Sequence, residues 1–412
     1  MNSLFALTIV SALLIIIFYR NLRTLFVPPV GVLLSIFLTG FFSLIMLYSD
    51  SLGYDVNIDY LTQTVLLYSI ALLGFLLPWV RYVFFRNKPP QMNLIILSKI
   101  QENSMNILLI GCIVVCISLL YLQGGILLLG IQQNLLSIQD SKEQARNLPP
   151  GLLLLNSVIP MIFFLYFAQK ILLFAKLNNI NKLKFISTAF FLIFLSLYQG
   201  TRQSLLMLIF SIFATFSVNK IRMNYFVITG FLVVFLFFFM SVRQIRSSDN
   251  IFLREMMLYQ VISFWNMNSI AEKYQPSGVP YMIFSEILPS RAVDVEKSEI
   301  KEFLIEPSAP AGFISYIYMD FGAIGVFCGS LIFGVTSRIF YAKRKINLFW
   351  QSAFIVILYS NFTFVTYSHF VTLVFFGAPI ILLLIMSILE RILMSFSTEN
   401  KTDLRRKAQT LV

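Results

Sequence analysis

Apolar runs of about 20 residues recur along the whole chain, the length an α-helix needs to cross a hydrocarbon core of roughly 30 Å. In such a run every backbone donor and acceptor can be satisfied within the segment, so a helix is the form that survives in lipid. The runs fall at 4–19, 25–48, 61–80, 105–122, 151–168, 185–197, 203–218, 225–242, 314–341, 348–367 and 372–390. The sixth and seventh are short and are joined by only a few residues. Of the 412 residues, 58% are hydrophobic and 12% charged, against about a quarter charged in an ordinary soluble domain. The expected fold is an all-α polytopic membrane protein with about 11 transmembrane helices, within a range of 10–12.

The net charge of +12 is explained by where the cations sit. One set of connections and the C-terminal tail hold 21 lysines and arginines, among them Arg20, Arg81, Lys176, Arg338, Lys343 and Arg405. The opposite short loops hold 3, namely Lys142, Arg146 and Arg202, and the loop at 49–60 is acidic through Asp50, Asp55 and Asp59. Cytoplasmic loops carry such an excess, and long loops are exempt from the rule. The C-terminus is therefore expected in the cytoplasm, with the termini on opposite sides. The division of the chain is helices one to eight over 1–242, a large extracytoplasmic loop over 243–312, helices nine to eleven over 313–390, and a basic cytoplasmic tail over 391–412. Cations spread between spans do not make a nucleic-acid surface. Cys112, Cys116 and Cys328 all lie in apolar runs and suit packing better than a disulfide or a metal. One histidine cannot build a His/Cys metal cluster. The first run lacks a basic start and a small-residue cleavage site, so it reads as a span.

The 243–312 segment is the only long hydrophilic stretch. Asp249 or Asn250 can cap a helix from 251 to about 271, where Phe252, Met256, Met257, Val261, Phe264 and Trp265 mix with Arg254, Glu255 and Gln260. That mixture predicts an amphipathic helix lying at the membrane surface. Pro276, Gly278, Pro280 and Pro289 then break the chain into short extended or turn segments.

Six residues stand out chemically. Arg202 opens a span just after Thr201, a plausible N-cap, so a guanidinium stands beside the free amides of a helix start. Phosphate oxygens match that pairing, and interfacial anchoring is its other use. Arg243 and Arg246, three apart, suit a diphosphate or the same anchoring role, with Arg291 and Arg146 as further cations at the outer face. Asp320 lies about six residues inside the ninth run, roughly 9 Å down a continuous helix. A carboxylate there must face a cavity or a cation. It can serve as a general base toward a sugar hydroxyl, or as half of a structural ion pair. Gly325 and Gly329 read as a close helix-packing face. His369 stands alone near the end of the tenth run and suits a structural role; Asp294-x-Glu296 is an acidic pair in a charged loop.

Gly200-Thr201-Arg202 opening a span, a long outer loop, and then Gly322-x-x-Gly325 in the next span resemble the O-antigen polymerase and ligase group. More specifically the layout resembles the Wzy-type repeat-unit polymerases, as do Gly124-Gly125 after the fourth run and Ile287-Leu288-Pro289-Ser290-Arg291 late in the loop. Related ligases carry a His-Asn pair about eleven residues before the first glycine of the last motif. Here that slot is Ala311-Gly312, which favours a polymerase. The resemblance implies a GT-C-like membrane glycosyltransferase in the bacterial inner membrane. It implies transfer of a glycan from undecaprenyl pyrophosphate to the sugar hydroxyl of another lipid-linked repeat unit. The product would be O-antigen, capsule or exopolysaccharide. Expected partners are the undecaprenyl-pyrophosphate-linked oligosaccharide, the bilayer, and a chain-length regulator and flippase of the same pathway. No cofactor is expected. Without obvious metal ligands in the sequence, Arg202, Arg243 and Arg246 are assigned to the pyrophosphate and Asp320 to the acceptor proton. Two other classes compete: a lipid-glycan flippase or transporter, and a metal-dependent glycosyltransferase built on Asp50, Asp55 and Asp59.

Overall fold

A computed structural model describes residues 1–22, 25–49, 56–81, 252–280, 282, 303–305, 312–344 and 348–365, with scattered single residues and short groups at 103–217 and 384–392. Runs four to eight and the eleventh run therefore lie largely outside the described residues. Among the described residues every regular element is helical. The helices are α1 (Asn2–Leu22), α2 (Pro28–Tyr48), α3 (Leu61–Leu76), α4 (Phe252–Lys273), α5 (Phe313–Lys343) and α6 (Leu348–Phe362). Turns of 3-10 helix, Ile58–Tyr60 and Leu77–Trp79, extend α3 at both ends. Four of these segments are long and apolar enough to cross a membrane: Asn2–Leu22, Pro28–Tyr48, Ile58–Trp79 and Phe313–Lys343. The chain is a helical membrane protein.

The chain forms two compact units. The first comprises Met1–Met92, Phe213–Lys343 and Phe354–Phe376; the second comprises Asn93–Ile212, Arg344–Ala353 and Gly377–Val412. The second contains the first turns of α6, with Arg344 and Gln351 buried. Asp320, with α3, α4 and α5, lies in the first.

In the first unit α3 and the long part of α5 run parallel. Gly74 faces Phe327 and Ser330, Phe75 faces Phe333 with ring centroids 5.4 Å apart, and Trp79 faces Tyr341 at 5.4 Å. Glycine makes this approach possible: a Cβ on Gly74 would stand 2.5 Å from the Phe327 carbonyl oxygen, and one on Gly334 would strike the Phe75 backbone. Arg338 closes the joint, donating from Nη1 to the Pro78 carbonyl at 2.9 Å. α1 and α2 form a hairpin in which Gly40 meets Leu4 and Thr8. The start of α2 is level with the end of α5, because Gly31 meets Asn361 and Asn361 accepts from Ser337 Oγ at 3.3 Å. Arg20, Arg81, Arg338 and Lys343 thus gather at one end of the unit, and Asn57, Asp59 and Glu272 at the other.

Three elements differ from expectation. The ninth run is not one helix. Gly322 has φ 63° and ψ −155°, a region open only to glycine, and it divides α5 into a short arm ending at Phe321 and a long arm from Ala323. The fold-back is sharp. Gly325 and Gly329 face Ile317 of the short arm, whereas in a straight helix residues 317 and 329 would lie about 18 Å apart. The glycine face expected to receive another helix receives the preceding arm of its own. The long arm alone spans about 30 Å, one crossing. The short arm starts beside the middle of the long one, where Phe313 packs on Phe333 at 5.8 Å and on Phe364 at 5.5 Å.

The helix of the tenth run ends before the expected 367. α6 stops at Phe362, and the turn at 363–365 seats Phe364 among Phe75, Phe313 and Phe333. The Val365 amide, freed from the helix, donates to Ser35 Oγ at 3.1 Å. Irregular backbone survives at this depth because protein encloses it.

The helix expected to lie on the membrane surface is α4, and it is enclosed instead. All eleven residues from Val261 to Ala271 are buried. Gln260, Asn268 and Glu272 find partners on neighbouring elements, which the amphipathic reading could not foresee. Gln260 Nε2 donates to Thr39 Oγ1 at 3.3 Å, about half-way along α2. Thr64 Oγ1 donates to Asn268 Oδ1 at 3.0 Å, and Asn268 Nδ2 donates to the Asn57 carbonyl at 2.9 Å. Asn57 Nδ2 donates in turn to Glu272 Oε1 at 2.8 Å. The Tyr68 and Phe264 rings pack at a tilt between these contacts, their centroids 5.1 Å apart.

Candidate functional site: a buried acid at a broken helix

Asp320 is fully buried, two residues before the break and in the last turn of the short arm. A helix end leaves carbonyls without partners, and a carboxylate there opposes the macrodipole. Residues 274–280 and Met282 answer both problems. Ser277 N donates to the Met319 carbonyl at 2.9 Å and Gly278 N to the Asp320 carbonyl at 2.7 Å. Met282 N donates to Asp320 Oδ1 at 2.8 Å. Three backbone amides therefore converge on one helical turn, and one of them holds the carboxylate. Gly278 can turn its amide inward because it sits at φ 75° with open space around its Cα. Pro276 packs against Gly322, where a Cβ would lie 3.4 Å from its Cγ.

A polar layer lies on the same side of the bundle. Gln63 Nε2 donates to Tyr318 Oη at 3.4 Å, two residues before Asp320 on the arm. Asn57, Asn268 and Glu272 continue the layer on α4 and the turn before α3. Asp59 is exposed in that turn, its amide held by Asn57 Oδ1 at 3.1 Å. Among the described residues no three His, Cys, Asp or Glu are grouped as a metal site requires.

Asp320 is thus at the corner of a broken helix and not part-way down a continuous one. Arg146, Arg202, Arg243, Arg246 and Arg291 lie outside the described residues, as do His369, Asp294, Glu296, Asp50 and Asp55. The amide clamp on Asp320 and the Asn57–Asn268–Glu272 layer escaped sequence reasoning. One signal was available: Ser263, Asn266, Asn268 and Ser269 crowd a stretch that also holds Phe264, Trp265, Met267 and Ile270. Polar residues on every face, mixed with large apolar ones, suit a helix surrounded by partners. No family model matches the chain, and no curated protein or solved structure is significantly similar to it.

Proposed function

We propose that the chain is a polysaccharide polymerase of the membrane glycosyltransferase class, acting outside the cytoplasm on undecaprenyl-pyrophosphate-linked oligosaccharides. The bond from the donor sugar's anomeric carbon to the pyrophosphate oxygen breaks. A new bond forms from that carbon to an acceptor hydroxyl oxygen, the hydroxyl proton passes to Asp320, and undecaprenyl pyrophosphate leaves as the anion. The observation that carries this reading is the enclosed Asp320 carboxylate at a helix break, at the end of the unit opposite Arg20, Arg81, Arg338 and Lys343. Cations of that kind favour the cytoplasm, which supports an extracytoplasmic position for the acid. An acid kept inside a membrane bundle is costly and is a default functional candidate. Arg202, Arg243 and Arg246 hold the pyrophosphate, with Arg291 and Arg146 adding positive charge along the outer face.

Asp320→Asn is the informative substitution. Its amide oxygen can still accept from Met282 N, so the fold stays while the proton acceptor goes. Polymer formation by the reconstituted protein should fall about 10²–10⁴-fold, and Arg202→Lys should also reduce it, since lysine cannot replace a bidentate guanidinium. Normal-length polymer from both variants would refute the assignment. A second reading, a lipid-glycan transporter, draws support from the break at Gly322, since transporters build their sites from discontinuous helices. Movement of the lipid-linked glycan across vesicles without polymer growth would establish it.

A further inference from the structure

We propose that the seam between α3 and the long arm of α5 binds an anionic phospholipid of the cytoplasmic leaflet. Arg81 and Arg338 hold its phosphate, and its acyl chains lie on Leu73, Leu77, Val335 and Ile339. The inference stands apart from the reading of Asp320, which is at the other end of the unit. Arg338 is half-buried and stands about 7 Å inside the end of the long arm. A guanidinium at that depth needs acceptors. Its Nη1 donates to the Pro78 carbonyl at 2.9 Å, which fixes the group over the seam. It makes no other hydrogen bond among the described residues, so donors remain in a planar fork that matches two phosphate oxygens.

The charge of this end asks for an anion from outside the protein. Arg81 is exposed three residues after Pro78, and Lys343 ends the long arm. Among the described side chains of the unit the carboxylates are Asp59, Glu272 and Asp320, all toward the opposite end. The C-terminal ends of α3 and α5 each bring about half a negative charge, so the three cations keep a surplus of roughly two. The apolar half of the site is on the same side of the seam. Leu73 and Leu77 stand four apart on α3, Val335 and Ile339 four apart on α5, and all four are exposed. The two helices run parallel and meet along Gly74 to Pro78 and Gly334 to Arg338. The exposed α3 row lies on one rotational side of its contact line and the α5 row on the other. In parallel helices that face each other, this sets both rows on one side. On α3 the row leads from Arg81 to Leu73, about 12 Å toward the bilayer centre. Basic seams of this kind between cytoplasmic helix ends suit acidic lipid headgroups.

Native mass spectrometry of the full-length protein from detergent micelles tests this, with phosphatidylglycerol and phosphatidylcholine of the same chains titrated separately. The wild type should hold phosphatidylglycerol about tenfold more tightly. Arg81→Ala should weaken that binding about fivefold and leave phosphatidylcholine unchanged. Arg338→Ala should weaken it further; because that variant also opens the joint with Pro78, Arg81→Ala carries the test if it fails to fold. Inorganic phosphate should not compete, since it lacks the chains that rest on Leu77 and Ile339. Equal affinity for the two lipids would overturn the proposal. So would competition by inorganic phosphate, which would mean an anion site without a lipid. A loss in Arg20→Ala as large as in Arg81→Ala would also overturn it, because Arg20 ends α1 and a diffuse basic surface would then replace the seam.

Discussion

Replacing Gly322 by alanine tests the helix break on which the account of Asp320 depends. The backbone there has φ 63° and ψ −155°, which costs an L-residue about 1–3 kcal/mol. A new Cβ would lie 3.4 and 3.7 Å from Pro276, ordinary contact, so nearly all of the cost is backbone strain. The chain could escape by straightening α5. That would withdraw Phe313 from Phe333 and Phe364, at about 0.5–1.5 kcal/mol for each ring pair. It would also strip three amide bonds from the last turn of the short arm, at about 1 kcal/mol each. Straightening costs more than the strain, so the break should persist and the variant should lose about 2 kcal/mol. Reversible unfolding in mixed micelles, followed by fluorescence of Trp79, Trp265 and Trp350, gives the number. Two substitutions calibrate it. Gly278→Ala meets open space at φ 75° and should cost about 1 kcal/mol. Gly111→Ala meets open space in a helix and should be neutral or stabilising by up to about 1 kcal/mol. A Gly322→Ala protein as stable as wild type would refute the break.

Gly74→Ala should cost about 1–3 kcal/mol in the same assay, because its Cβ meets the Phe327 carbonyl oxygen and the backbone must shift. An unchanged midpoint would mean that α3 and α5 do not approach through this glycine. Asn268→Leu removes the acceptor of Thr64 Oγ1 and the donor to the Asn57 carbonyl, and should cost about 1–3 kcal/mol. Thr64 keeps a second acceptor, the Tyr60 carbonyl at 3.2 Å, so Thr64→Val should cost less than Asn268→Leu. The reverse order would remove Asn268 from the centre of the layer.

Hydropathy made the membrane class and the first three spans legible. The runs at 4–19, 25–48 and 61–80 match α1, α2 and α3 to within a few residues, since lipid-facing helices declare themselves by length alone. The ninth and tenth runs were harder. An apolar sequence of 28 residues reads as one tilted span, and only the backbone at Gly322 shows two arms. The clue was Gly322 directly after an acid and a phenylalanine, yet glycine in a span more often marks close packing. The turn at 363–365 depends on where Phe364 finds its ring partners, a property of the assembled core.

α4 shows the same limit from the polar side. Its extent was legible, since the expected 251–271 became Phe252–Lys273, while the expected cap at 249–250 lies outside the described residues. Its environment was not, because Gln260 and Asn268 look solvent-facing until Thr39, Thr64 and Asn57 stand opposite. Of the site, Asp320 was legible as an acid out of place in an apolar run. Its clamp was invisible, because backbone amides of Ser277, Gly278 and Met282 leave no side-chain signature.

The most direct test of the central claim is polymer growth by the purified protein given a lipid-pyrophosphate-linked repeat unit, with EDTA present and products resolved on a gel. The account predicts a ladder of repeat-unit multiples that persists in EDTA and disappears with Asp320→Asn. A ladder that returns only with a divalent metal, or lipid-linked glycan that crosses vesicle membranes with no ladder, would contradict it.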